Sequence, residues 1–137
     1  MSTASIAHRL AFAVAAFGTL AFGAPASAQS AIAEDVAFFE RVNVGDVEVT
    51  PFGVVRDRRC ADIRFCTRED TLIISVILHD YRGMQEVVLE LGEPVEVPGG
   101  FLVLLDAGTA PSLRSAIHLR EYRLALEFIP LRFDLPR

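Results

Sequence analysis

Lysine and tryptophan are both missing from this chain, and cysteine is limited to Cys60 and Cys66. Without lysine, all positive charge rests on 13 arginines, which a G- and C-rich codon usage explains before any selection for guanidinium chemistry. Without tryptophan there is no Cys-Trp-Cys signature of a true immunoglobulin domain. A glycine-rich phosphate loop, a nucleophile elbow around a serine and a short zinc pattern such as Cys-x2-Cys are all lacking, so no specific catalytic constellation is present. Eighteen carboxylates outnumber the arginines. Nothing in that balance suggests nucleic acid, whose phosphates demand a cationic face, and none is expected as a partner.

What is present begins with a leader. Arg9 and the terminal amine are followed by an apolar run from Leu10 to Gly23, and Ala26-Ser27-Ala28 gives a small-x-small cleavage pattern. The run is short for a membrane span, which needs ~17 to 25 residues. These features predict that residues 1–28 are a signal peptide and that the exported chain is extracytoplasmic, periplasmic or secreted, with no membrane span after cleavage. Residues 29–137 then carry 12 arginines against 18 carboxylates, a formal charge of −6. Such a length holds one domain with one core.

Period-two patterning dominates that domain. Val42 and Val44, then Val47 and Val49, alternate with polar residues, and Gly45-Asp46 shifts the parity as a hairpin turn or a bulge would. Pro51 is expected to end or edge that segment. Thr71 to His79 is apolar on both parities, as in a central strand covered on both sides. Asp80 to Gly83 is a turn, Val87, Leu89 and Leu91 form the next strand, and Phe101 to Leu105 is another apolar run after Pro98-Gly99-Gly100. Residues 106–121 lack strand character and have room for one helical turn. In the last strand Tyr122, Leu124, Leu126 and Phe128 share one face, and Pro130 interrupts it before Leu131 and Phe133. Ser30 to Val42 fits a short helix or a lead-in strand equally well. The expected fold is all-β, an antiparallel sandwich of immunoglobulin-like size or a partly closed barrel of about seven strands.

Residues 56–70 hold both cysteines, five arginines and four carboxylates. In an oxidising compartment Cys60 and Cys66 read as a disulfide closing a small loop, worth roughly 2 to 2.5 kcal/mol in the chain-entropy model. A pinned charged loop suits presentation to a partner. Arg58, Arg59, Arg64 and Phe65 are the candidate contacts, and the bland alternative is that arginine and aspartate alternate there to neutralise one another. The preferred function is an exported, non-catalytic interaction module whose partner is a protein or another envelope component. One alternative is a periplasmic metal-binding protein using His79 and His118, joined by the cysteines if these stay reduced. Another is an inhibitor offering the loop to an extracytoplasmic hydrolase. No cofactor is expected.

Taken together, Asp57, Arg59, Cys60 and Cys66 resemble the Asp-Ser-Arg-Cys-Pro…Cys loop of a widespread group of uncharacterised bacterial secreted proteins and lipoproteins. Arg58 stands for the serine, Ala61 for the proline, and Thr67 to Asp70 for an aromatic segment. Pro111 and Tyr122 to Phe128 are also similar to the later pattern of that group. The resemblance implies export, a disulfide and an all-β module, and leaves the activity open.

Overall fold

A computed structural model of the chain describes residues 29–61, 71–112 and 116–132. Residues 1–28 and the loop positions Arg64, Phe65 and Cys66 lie outside this set, as does Phe133. The described residues form eight strands: β1 (Ala31–Val36), β2 (Val42–Val44), β3 (Val47–Asp57), β4 (Leu72–Asp80), β5 (Gly83–Glu90), β6 (Pro94–Val97), β7 (Gly100–Asp106) and β8 (Leu124–Pro130). They make two antiparallel four-stranded sheets, in the orders β1-β8-β7-β6 and β2-β3-β4-β5, which do not close into a barrel.

Alternation places one side of each strand in a common core. On β4 Leu72, Ile74, Val76 and Leu78 are buried, and from the other sheet Leu102, Leu104, Leu124, Leu126 and Phe128 join them. The outward residues of β4 behave differently. Ile73 and Ile77 remain partly exposed, and only the small Ser75 between them is buried. The expected double cover of this strand is therefore not observed, because the molecule has two sheets and no third layer over β4 among the described residues. At the β5–β6 corner, the Leu91 N–H donates to the Leu72 carbonyl and the Gly92 N–H to that of Leu104, so one short turn bonds to both sheets.

Three local outcomes refine the sequence reading. The segment from Ser30 is a strand, with Ala31 and Ala33 opposite Phe128 and Leu126, where their small side chains leave room for the larger ones. Gly45-Asp46 is the turn of the β2–β3 hairpin, since Val44 pairs with Val47. Pro51 does not end its strand. β3 continues to Asp57 because Pro51 sits where β2 stops, its carbonyl accepts the Phe39 N–H at 2.8 Å, and a register shift follows before Gly53. Residues 119–121 form a helical turn of 3-10 type, with the Glu121 carboxylate accepting the His118 N–H at 2.8 Å.

Gly100 is packed under β8. A Cβ built there would collide with the Ile129 carbonyl oxygen and approach the Phe128 ring to 2.9 Å. Gly100→Ala is therefore expected to cost about 1 to 3 kcal/mol by overpacking, read as a lower midpoint in urea denaturation with an unchanged slope.

Candidate functional site

β3 leaves its sheet through Asp57-Arg58-Arg59-Cys60, and the register sets which of these turns inward. Asp57 is opposite Leu72, on the core side of β4, whereas Arg58 is exposed. Arg59 is only 7% exposed. A buried guanidinium is tolerable only if its donors are satisfied. Its Nε donates to Asp57 Oδ1 at 3.1 Å and its Nη2 to Asp57 Oδ2 at 2.9 Å, a two-point pairing. Nη1 donates to the Gly108 carbonyl at 3.0 Å and Nη2 to that of Thr109 at 3.2 Å. The Arg59 backbone N–H also donates to Asp57 Oδ1.

Tyr122 completes the cluster from the segment that leads into β8. Its hydroxyl donates to Asp57 Oδ2 at 2.8 Å, and the Arg59 guanidinium lies 5.6 Å from its ring centroid. The Phe38 ring meets Tyr122 edge-on at 5.5 Å. Next to this cluster the Ala61 N–H donates to the Pro111 carbonyl at 3.3 Å. The result ties the end of β3, the β7–β8 connection and the approach to β8 into one buried clamp at the root of the cysteine segment.

Protonation states follow from these contacts. Burial alone would raise the Asp57 pKa, but the hydrogen bonds from Arg59 and Tyr122 prevail and hold it below the usual aspartate range. For Arg59 burial opposes the charge, and pairing with Asp57 outweighs it, so its pKa is raised. Burial and the bond to Asp57 push Tyr122 up to about 12. The clamp thus holds an ionised carboxylate, a cation and a neutral phenol. Such a set binds itself and has no group near neutral pH to serve as an acid or base.

Of the predicted contact residues, Arg58 is exposed and is the one the described residues leave accessible to a partner. Arg59 is corrected: it is a buried structural cation, because its donors are committed to Asp57 and two carbonyls. Arg64, Phe65 and Cys66 lie outside the described residues; Cys60 is half-buried, and no cysteine among the described residues is free. The alternation of arginine and aspartate is a neutralising pair at 57 and 59.

The two histidines are not brought together. His79 is the penultimate residue of β4, beside β3, its Nε2 3.0 Å from Thr50 Oγ1, and β4 carries it roughly 23 Å from Leu72 at ~3.3 Å per residue. His118 lies at the Leu72 end, four residues before Tyr122. Among the described residues no group of three or more histidine, cysteine, aspartate or glutamate side chains is arranged to hold a metal ion.

The sequence reading did not find the Asp57–Tyr122 bond, although a signal existed. Tyr122 shares the buried parity of Leu124, Leu126 and Phe128, and a buried phenol requires a partner for its hydroxyl. No family model, curated protein or solved structure matches the chain.

Arg59→Met keeps the aliphatic stem but leaves the Asp57 carboxylate buried without its cation. It is expected to destabilise the fold by about 3 to 5 kcal/mol, measured by chemical denaturation. The pH dependence has two limbs. Asp57 has a lowered folded pKa, so its contribution is present above the unfolded value of ~3.9 and is lost as pH falls through the folded one. Tyr122 has a raised folded pKa, so its contribution is complete below ~10 and is lost as pH rises towards about 12. Denaturation midpoints across pH should show both limbs, and Tyr122→Phe should remove the alkaline one.

Proposed function

We propose that the protein is an exported, non-catalytic interaction module, a β-sandwich that presents the Cys60–Cys66 loop, closed by a disulfide, to a protein or another component of the cell envelope. Support comes from the clamp at the root of that loop. Arg59 is buried and bonded to Asp57 and to two carbonyls about 50 residues away in the chain, so the strand leading into the loop is held before any partner arrives. Preorganisation of this kind lowers the ordering cost of binding. In this reading Arg58, Arg64 and Phe65 make the contacts and Arg59 positions them. The residues that carry the resemblance to the secreted Asp-Ser-Arg-Cys-Pro group include Asp57, Arg59, Pro111 and Tyr122, all of which belong to or adjoin the clamp.

Affinity capture from the native envelope tests the reading, comparing the parent with an Arg58→Ala, Arg64→Ala, Phe65→Ala variant and a Cys60→Ser, Cys66→Ser variant. Loss of the captured partner in both variants, with the fold retained by circular dichroism, is expected. An unchanged set of captured proteins in the first variant removes the loop as the contact surface.

A further inference from the structure

Phe101 to Leu105 is apolar at every position, the pattern of a strand covered on both faces. Its inward residues Leu102 and Leu104 meet the core, while Phe101 and Val103 point outward, paired with Ile129 and Glu127 of β8. The outward side of this sheet is open. Ile32 is 54% exposed, Leu105 41% and Ile129 38%. These residues, with Phe101 and the buried Val103, give the face apolar positions on β1, β8 and β7, on either side of Glu127.

The charge on this sheet has one sign. Its four strands contain Glu34, Asp35, Glu96, Asp106 and Glu127, and no arginine or histidine. Glu127 sits mid-face, opposite Ile32 on one side and Val103 on the other, and makes no ion pair among the described residues. Arg123, just ahead of β8, is occupied by Asp35 at 3.2 Å and by the carbonyls of Arg120 and Tyr122. The other sheet differs in its charge: its outward face also carries apolar residues, Ile73, Ile77, Met84 and Val88, but there Glu48, Glu86 and Glu90 are accompanied by Arg56 and His79.

We propose that the outward face of the β1-β8-β7-β6 sheet docks a protein partner whose contact segment alternates apolar side chains with arginine or lysine. The apolar residues supply buried area, and the carboxylates, Glu127 at their centre, select cations. A second copy of this face is disfavoured, because it would oppose carboxylates to carboxylates, and an anionic lipid surface is repelled for the same reason. The proposal does not depend on the cysteine loop.

The test uses the purified, isotope-labelled protein and two synthetic peptides, one alternating leucine with arginine and one alternating leucine with glutamate. Binding of the arginine peptide alone is expected, with amide shifts concentrated at Ile32, Val103, Leu105, Glu127 and Ile129. Glu127→Arg should weaken it about tenfold, as should Ile129→Ser, while Glu86→Arg on the other sheet, with the same change in net charge, leaves it within about twofold. An equal response to Glu127→Arg and Glu86→Arg would assign the effect to overall charge and overturn the proposal. Equal binding of the glutamate peptide, or self-association that Glu127→Arg abolishes, would overturn it as well. Arg58→Ala serves as the reference for the loop: it leaves this binding intact, so failure here and failure of the loop reading are separate results.

Discussion

The buried ion pair between Asp57 and Arg59 is the constraint around which one end of the molecule is arranged. Two opposite charges removed from water are costly, and their attraction compensates only when the remaining donors and acceptors also find partners. Arg59 meets that demand by reaching the carbonyls of Gly108 and Thr109, and Asp57 by accepting the Tyr122 hydroxyl. These partners lie 49, 50 and 65 residues away in the chain. Satisfying one guanidinium therefore fixes the end of β3, the connection after β7 and the entry to β8 relative to one another.

That arrangement separates roles within one charged stretch. Consecutive arginines at 58 and 59 have opposite fates, one exposed and one buried, because they leave β3 with opposite side-chain directions. The core beneath is supplied by both sheets, so the clamp does not carry the fold alone. Its effect is local, a rigid root for the segment that follows. The docking face proposed for the other sheet is separate from it, built of strand positions rather than loop positions.

Much of the strand pattern was legible in residue order. Val42 to Val49 showed its hairpin, and Tyr122 to Phe128 its buried parity, since alternation is a local property that burial on one face enforces. Pro51 was expected to end or edge its segment; it does not end β3 and takes the edge-like place, which depends on where β2 stops and on Phe39 bonding its carbonyl. Arg59 was misjudged as a contact residue for a related reason. An arginine beside an aspartate reads as surface neutralisation until carbonyls from a distant loop are brought to it. The outward apolar residues of β7 were visible as a run, but a run cannot distinguish a strand between two layers from one with an open face.

The amino-acid sequence by itself determined the all-β character, the approximate strand positions and the acidic charge, each set by local periodicity or by composition. Only the tertiary structure decided the two four-stranded sheets, the burial of Arg59 with Asp57 and Tyr122, the separation of His79 from His118, and the concentration of one sign of charge on one sheet. The physical reason is that these depend on which distant segments meet. A hydrogen bond between residues 57 and 122 leaves no periodic trace in the chain; it exists because packing two sheets face to face brings a carboxylate and a phenol to the same dry corner.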